Sequence, residues 1–196
     1  MWTQTKNILP RGGEVYLYNS FFTAPESEEV FDELLKNVEW RQDSMTIRGK
    51  TVNLPRLTAW YGNEGKCYRS PGIFKEPLPW TDMLLDIKQF VEDRLDIEFN
   101  SALLNLYRNE SDDAGWHRDN ESGLGFNPVI ASLSFGNNRE FQLKHKDFPK
   151  EKITGTLQNG SLLLMRGETQ VNWRYRISPS KEYHHPGINL TFRKII

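Results

Sequence analysis

The second half of the chain is a succession of short β-type segments separated by turns, and this pattern most constrains the fold. Branched and aromatic residues recur there in short runs, with Gly, Asn, Asp or Pro between the runs. We predict strands at Ala102–Tyr107, Val129–Phe135, Glu140–Lys144, Ile153–Leu157, Ser161–Met165, Val171–Ile177 and Ile188–Lys194. Many short strands close together in sequence favour a double antiparallel sheet.

The first half of the chain carries two amphipathic helices. Thr23 and Glu26 have the spacing of a capping box, which predicts a helix that ends near Val38. Apolar residues at helical spacing predict a second helix from about Trp80 to Leu95. A strand near Glu14–Tyr18 precedes both helices. The expected fold is therefore α+β and mainly β, a jelly roll with two or more helices packed outside.

Length and composition narrow the class of protein. The 196 residues are expected to form one domain over residues 14–196, preceded by a polar tail at residues 1–13. With 25 basic and 26 acidic residues, any contact with nucleic acid must come from a local patch. The single cysteine, Cys67, excludes an internal disulfide and a cysteine-based zinc site. Without an apolar run of membrane-spanning length or a signal peptide, we expect a soluble intracellular monomer of the cytoplasm or nucleus.

The stretch NLYRNESDDAGWHRD, residues 105–119, places an imidazole and a carboxylate two positions apart. Side chains two apart on an extended backbone point the same way, so His117 and Asp119 are able to converge on one metal ion. This pair is two-thirds of the 2-His-1-carboxylate triad of non-heme Fe(II) oxygenases. Chance H-x-D pairs are common, so the motif needs support from elsewhere in the chain.

That support comes from the last predicted strand. Polar Asn189, Thr191 and Arg193 alternate there with apolar residues. Such a strand buries its apolar face in the core and turns an arginine into a pocket. A dicarboxylate co-substrate requires an arginine in that place.

The chain resembles the AlkB family of Fe(II)- and 2-oxoglutarate-dependent dioxygenases, particularly its duplex-DNA-repairing branch. The matching blocks, in family order and spacing, are NLYRN, GWHRDNE, PVIASLSFG, REFQLKHKD, NGSLLLMRG and INLTFRK. The resemblance covers roughly residues 55–196 and implies a double-stranded β-helix. It also implies Fe(II) and 2-oxoglutarate as cofactors and nucleic acid as partner.

The resemblance assigns roles to individual residues. It implies that His117 and Asp119 bind the iron. It implies co-substrate contacts from Asn105, Tyr107, Asn189, Thr191 and Arg193. Arg193 is expected to pair bidentately with a carboxylate. Taken without the surrounding blocks, Asn105 reads as a satisfied core amide, Tyr107 as a core aromatic and Arg193 as a surface charge.

Residues 41–75 correspond to the nucleotide-recognition lid of the family. The stretch is predicted to be irregular, with strand-like pieces near Met45–Arg48 and Leu57–Tyr61. Glycine hinges are expected to make it mobile, at Gly49, Gly62, Gly65 and Gly72. Trp60, Tyr61 and Tyr68 are expected to offer stacking faces for a flipped base. Phosphate contacts are candidates for the basic residues Arg41, Arg48, Lys50, Arg56, Lys66 and Arg69, for which a solvated loop is the alternative. The expected substrate-binding residues are Arg56, Tyr68, Asn120 and Glu121.

Two positions depart from the family pattern. Tyr175 stands where the family has its third iron ligand, a histidine, and Trp173 fixes that register. Gly187 stands where the family has the first of two co-substrate arginines. A tyrosinate binds iron in catalase, but its unperturbed pKa near 10 and its preference for Fe(III) oppose that role here. His185 is a candidate for a carboxylate contact, and His145 reads as structural.

Three functions stay open at this stage. The first is oxidative dealkylation of N-alkylated bases in DNA or RNA, impaired by the two departures. The second is a catalytically weak or silent nucleic-acid-binding protein, which Tyr175 and Gly187 favour. The third is a dioxygenase acting on another substrate, such as RNA or protein side chains, which the near-neutral charge permits.

Overall fold

The computed structural model describes residues 6–47, 49–70, 73–179, 182 and 184–196. The expectations for the first five residues of the tail, for Arg48 and for Gly72 lie outside this range. The described chain contains three α-helices, one 3-10 helix at Ser122–Leu124 and thirteen strands. The strands are β1 Glu14–Tyr18, β2 Arg41–Ile47, β3 Lys50–Gly62, β4 Tyr68–Ser70, β5 Ile73–Lys75, β6 Ser101–Tyr107, β7 Ala114–His117, β8 Ile130–Gly136, β9 Arg139–His145, β10 Lys152–Leu157, β11 Ser161–Arg166, β12 Trp173–Ile177 and β13 Gly187–Arg193.

Both predicted helices are present at the predicted places. Helix α1 spans Ala24–Asn37, and its capping box is complete because Thr23 and Glu26 bond each other's backbone. Helix α2 spans Asp82–Leu95, with the Thr81 hydroxyl accepting from a backbone N–H of the first turn. Helix α3, Thr169–Asn172, is a single turn.

The strands form two main antiparallel sheets, as the jelly-roll prediction requires. The larger sheet has the order β1-β11-β8-β13-β6-β3-β2, and the smaller has the order β10-β9-β12-β7. Strands β4 and β5 form a separate hairpin. The prediction of a mainly β fold with helices outside is confirmed.

Alternation along the strands of the larger sheet separates two apolar layers. In β13 Leu190 faces the layer that packs under the two long helices, together with Leu133 and Leu104 of the neighbouring strands. In β11, Leu162 and Leu164 face the same layer as Leu190, whereas the alternate residues Leu163 and Met165 face the smaller sheet. Because the side-chain period is two, the polar residues of β13 also point between the two sheets.

Three sequence expectations need correction. The stretch 41–75 is not irregular, because β2 and β3 extend the larger sheet and β3 is thirteen residues long. Trp60 and Tyr61 are each only 2% exposed and offer no stacking face. The expected strand Val171–Ile177 begins at Trp173, because α3 occupies the residues before it. Strand β7, which carries His117, was not predicted as a separate strand.

The described helices include none that is both long and apolar enough to cross a membrane.

Candidate active site

A cavity of about 360 Å³ opens between the two sheets and collects most of the residues singled out by sequence. Strands β6 and β13 of the larger sheet form one wall, and β7 and β12 of the smaller sheet form the other. The predicted site residues that line it are His117, Asp119, Tyr175, Asn105, Tyr107, Asn189, Thr191, Arg193, Arg56, Tyr68 and Glu121. Asn120 is exposed and does not line this cavity.

His117 is held as a neutral imidazole with one ring nitrogen available. Its Nδ1 lies 2.7 Å from the backbone oxygen of Gly115, and because a carbonyl oxygen only accepts, Nδ1 carries the proton. Burial lowers the pKa of the ring, although the nearby Asp119 carboxylate opposes that shift. Nε2 is then the unprotonated nitrogen, which is the state in which histidine binds a metal.

Asp119 is buried, and its carboxylate is held by two neighbours. Nη2 of Arg193 lies 2.8 Å from Oδ2, and the Tyr175 hydroxyl donates to the same oxygen at 3.0 Å. The side-chain oxygen of Gln170 accepts a hydrogen bond from the Asp119 backbone at 2.8 Å. Sequence reasoning missed Gln170, because nothing local links two residues so far apart in the chain.

Tyr175 lies beside His117, not across the barrel from it as expected. The two residues are direct partners on the adjacent antiparallel strands β12 and β7, with ring centroids 4.1 Å apart. Burial raises the pKa of the Tyr175 phenol well above its usual value, and the Asp119 carboxylate adds to the rise. The side chain is therefore a neutral hydrogen-bond donor. Across the described ranges, no three His, Cys, Asp or Glu side chains lie close enough together to hold a metal ion.

Arg193 is the central cation of the site. The residue is 3% exposed, and besides its contact with Asp119 its Nη1 lies 3.9 Å from the Glu121 carboxylate. Its Nε is buried and has no hydrogen-bond partner within the described part of the chain. A buried guanidinium N–H without a partner has room to donate to an anionic ligand.

Arg56 lines the cavity. Its Nε donates to Oδ1 of Asn105 at 2.8 Å, and its Nη1 donates to the backbone oxygen of Asp113 at 3.0 Å. Burial raises the pKa of the nearby Tyr107 phenol, and the Arg56 charge opposes that rise. Arg56, Asn105 and Tyr107 thus form one polar group on the wall of the cavity.

Asn189 and Thr191 are hydrogen-bonded to each other, and Asn189 is also hydrogen-bonded to strand β8. The side-chain nitrogen of Asn189 donates to Oγ of Ser132 at 2.8 Å and to the backbone oxygen of Leu133 at 2.9 Å. The Thr191 hydroxyl donates to the side-chain oxygen of Asn189 at 2.9 Å. These bonds fix the cavity face of β13, so that Arg193 is presented from a rigid strand.

Tyr68 lies between the main cavity and a second one of about 300 Å³, and Glu121 and Arg193 line both as well. The Tyr68 ring packs against Trp60, with centroids 5.1 Å apart. Burial raises the pKa of the Glu121 carboxyl, while the charge of Arg193 opposes the shift. An aromatic face and a carboxyl group therefore stand together at this side of the cavity.

A cluster that the sequence did not indicate lies at the cavity wall formed by residues 41–75. Lys75 of β5 pairs with Asp43 of β2, and the Thr58 hydroxyl of β3 donates to the same carboxylate. Nζ of Lys75 also donates to Oγ1 of Thr58 at 2.6 Å. All three line the cavity. Their separation along the chain leaves no local pattern from which to predict the cluster.

Gly187 is packed against Arg139, outside the main cavity. Both line a separate void of about 10 Å³, and Arg139 donates to the backbone oxygens of Asn109, Tyr107 and His185 at 3.1 to 3.4 Å.

His145 is buried, and its Nδ1 accepts two backbone N–H groups, as expected of a structural residue.

The comparisons with known proteins agree with this geometry. Residues 14–193 match the family described as the 2OG-Fe(II) oxygenase superfamily. The chain is 42% identical to alpha-ketoglutarate-dependent dioxygenase alkB homolog 3 of Bos taurus, covering 96% of this chain and 69% of the relative. It is 35% identical to the Homo sapiens protein named DNA oxidative demethylase ALKBH2, covering 91% and 72% respectively.

A solved structure described as that of OsALKBH1 shares the fold. Its TM-score is 0.68 at 14% identity, and the match covers 95% of this chain and 99% of that one. The fold and the site thus define a 2-oxoglutarate- and Fe(II)-dependent oxygenase. Within that superfamily, the chain belongs to the AlkB family of dioxygenases. Fe(II) and 2-oxoglutarate are the cofactors that this membership implies, as expected from the sequence.

The residues present fit these two cofactors unequally. The buried, partnerless Nε of Arg193 fits an anionic co-substrate. His117 and Asp119 fit two coordination positions of Fe(II), because both line one cavity and the imidazole is neutral. Tyr175 stands at the position to which the resemblance assigns the third ligand, and because burial raises the pKa of its phenol well above the usual value, the neutral side chain fits Fe(II) poorly.

Proposed function

We propose that this chain is an Fe(II)/2-oxoglutarate-dependent dioxygenase that removes N-alkyl groups from nucleic-acid bases by oxidation. The observation that carries the proposal is the convergence of His117, Asp119 and Arg193 on one cavity that Tyr68 also lines. The relatives named as dioxygenases and as DNA oxidative demethylases support it.

His117 and Asp119 would hold the iron, and Arg193 with Asn105 and Tyr107 would hold the co-substrate. When bound together, the two cofactors supply the oxidation of a carbon–hydrogen bond with O2. Arg193 orients the Asp119 carboxylate through the 2.8 Å contact and offsets its charge. The Gly115 carbonyl keeps the proton on Nδ1 of His117, so the other ring nitrogen stays free to bind.

The substrate base would enter beside Tyr68. The Tyr68 ring packs against Trp60, which holds it in place before the base binds. Binding therefore does not have to order a freely rotating Tyr68 side chain. Chemistry on a base requires that the base leave the stack, and an aromatic face replaces the lost stacking. Glu121, with its raised pKa, stands next to Tyr68 and would offer a hydrogen bond to the edge of the base.

A turnover assay with an N-methylated single-stranded oligonucleotide tests the proposal. We expect succinate and the unmethylated base to form in equal amounts, both dependent on added Fe(II) and 2-oxoglutarate. Tyr68→Ala should weaken oligonucleotide binding by about 10-fold, as one lost stacking contact implies. Tyr68→Phe keeps the ring and should bind like the parent chain. An oligonucleotide that is neither bound nor demethylated would contradict the proposal.

A second candidate is favoured by one specific observation. Tyr175 donates to Oδ2 of Asp119, the oxygen that Arg193 also contacts, and so competes with a metal for that carboxylate. This contact favours a protein that binds alkylated nucleic acid without turning it over. Binding of the oligonucleotide with no succinate formed, at saturating Fe(II) and 2-oxoglutarate, would select this candidate.

A further inference from the structure

Among the cations that line the main cavity, two guanidinium groups are withdrawn from solvent, with Arg193 buried and Arg56 half-buried. Arg56, Lys75, Arg118 and Arg193 are the cationic side chains among the described residues that line it. Lys75 is paired with Asp43, and Arg118 is exposed. Arg56 donates only to neutral acceptors, and Arg193 keeps a buried Nε without a partner among the described residues, so these two cations are available to a ligand inside the cavity.

Arg193 marks the metal end of the cavity, because its Nη2 contacts Asp119. Arg56 belongs to a different part of the same wall. Its Nε contacts Asn105, whose strand partner on β13 is Asn189, four residues before Arg193. Four residues of extended strand span roughly 13 Å. The two guanidinium groups thus approach the cavity from separated positions along the sheet.

A dicarboxylate such as 2-oxoglutarate presents two anionic groups at the two ends of a short chain. Each carboxylate buried in a cavity needs a cation or several hydrogen-bond donors. Arg193 is in place for the end that is nearer the metal. For the remote end, the cavity offers Arg56 together with its neighbours Asn105 and Tyr107.

Arg139 is a buried arginine near this end, beside the position of Gly187. Its guanidinium donates to three backbone oxygens, and it lines the separate small void, not the main cavity. A ligand in the main cavity therefore meets Arg56 and not Arg139.

We propose that Arg56 binds the carboxylate of 2-oxoglutarate that is remote from the metal. This inference rests on the proposed function, since it requires 2-oxoglutarate in the main cavity. The guanidinium now donates to Asn105 and to the Asp113 backbone. When 2-oxoglutarate binds, the guanidinium gives up or shares these hydrogen bonds and donates to the carboxylate. Arg56 is thereby assigned to the co-substrate and not to a phosphate of the nucleic acid.

The test is equilibrium binding of two ligands in the presence of Mn(II), which occupies the metal site without turnover. The ligands are 2-oxoglutarate and 2-oxopentanoate, which has the same chain length but a methyl group in place of the remote carboxylate. Arg56→Gln should weaken 2-oxoglutarate binding by about 10- to 100-fold, as expected for a lost charged hydrogen-bond pair. Binding of 2-oxopentanoate should not change.

Two further variants sharpen the experiment. Arg118→Gln removes an exposed arginine from the rim of the same cavity and should leave both affinities unchanged. Arg56→Lys keeps the charge but loses the planar fork, so its loss of 2-oxoglutarate affinity should lie below that of Arg56→Gln. Unchanged 2-oxopentanoate binding also shows that a variant is folded. If Arg56→Gln does not fold, the Arg56→Lys measurement decides by itself.

Three results would overturn the inference. The first is an Arg56→Gln variant that binds 2-oxoglutarate like the parent chain. The second is an equal loss for both ligands, which would make Arg56 a support of the cavity wall. The third is a loss confined to oligonucleotide binding, which would return Arg56 to the nucleic acid. If the parent chain itself does not bind 2-oxoglutarate, the proposed function falls as well, so the two failures are distinguishable.

Discussion

A single carboxylate oxygen, Oδ2 of Asp119, accepts hydrogen bonds from Tyr175 and Arg193. The resemblance predicts a histidine ligand at position 175, and the tyrosine found there does not supply the same chemistry. A buried neutral phenol donates a hydrogen bond, whereas a ligand to Fe(II) must offer a lone pair. The same atom of Asp119 is thus both the candidate metal ligand and the acceptor of two donors.

Replacing Tyr175 by histidine removes this competition and adds a nitrogen donor. We expect Tyr175→His to raise 2-oxoglutarate turnover by more than about 10-fold, since changes outside the ligand set alone alter activity by 10- to 100-fold. Combined with Gly187→Arg, the gain should exceed that of either change, because the family pattern assigns both positions to one iron–co-substrate unit and the longer side chain would extend from the small void at Gly187. Turnover is measured as succinate formed per minute.

The control for this prediction is Tyr175→Phe, which removes the hydrogen bond to Asp119 without supplying a nitrogen. It should raise turnover less than Tyr175→His. The structure shows one obstacle to Gly187→Arg, since a Cβ there would lie 3.0 Å from the backbone oxygen of Asn137. That backbone must shift by a few tenths of an ångström to admit the side chain. A double variant no more active than the parent would show that these two positions do not limit the chain.

At the scale of elements, the loop between β6 and β7 positions the metal motif. The Asp112 carboxylate accepts hydrogen bonds from the backbone and the guanidinium of Arg108 at 2.8 Å. Burial alone would raise the Asp112 pKa, but the bonds from Arg108 outweigh it and hold the pKa below its usual value. This loop connects β6 to β7, the strand that carries His117.

Asp112→Asn should destabilise the protein at neutral pH by about 1–2 kcal/mol, the usual cost of losing charged hydrogen bonds at a partly screened pair. Because the folded-state pKa is depressed, the stabilisation is present above the unfolded value near 3.9 and is lost as the pH falls through the folded-state pKa. Urea unfolding at pH 7 and near pH 3 compares the full stabilisation with that remaining below the unfolded-state pKa.

Glu110→Gln, an exposed change in the same loop, should leave the unfolding free energy unaltered. The prediction for Asp112→Asn fails if its destabilisation is as large near pH 3 as at pH 7.

Elements differ in how far local sequence determines them. The capping box of Thr23 and Glu26 and the polar–apolar alternation of β13 are local signals, and both gave the right structure. The burial of Trp60 and Tyr61 had no local signal, because it depends on β3 lying between β6 and β2 in the larger sheet. The inward turn of Arg56 likewise depends on Asn105, far along the chain.

At the scale of the whole molecule, the formal charge is −1 at pH 7. No overall field draws the protein to nucleic acid, so affinity must come from a few local contacts. The cavity itself mixes both signs, with Arg56 and Arg193 beside Asp113 and Glu121. Such a surface favours binding by stacking and shape over binding by many phosphate contacts.

We therefore expect oligonucleotide affinity to fall only modestly with salt. With about two or three phosphates neutralised, the logarithm of the binding constant should fall with a slope of about −2 against the logarithm of salt concentration. Fluorescence anisotropy between low and moderate salt measures it. A slope steeper than about −5 would point to an extended basic surface and would contradict the expectation.

Strand β13 lies in the middle of the larger sheet and is the last of its strands in chain order. It alone joins β8 on one side to β6 on the other. Until β13 is synthesised, the other strands of the larger sheet form at most two separate half-sheets, β1-β11-β8 and β6-β3-β2. Each half-sheet has an unpaired edge that is able to pair with other chains. Since β13 also carries Asn189, Thr191 and Arg193, the pairing of this strand completes the larger sheet and one wall of the main cavity in the same step.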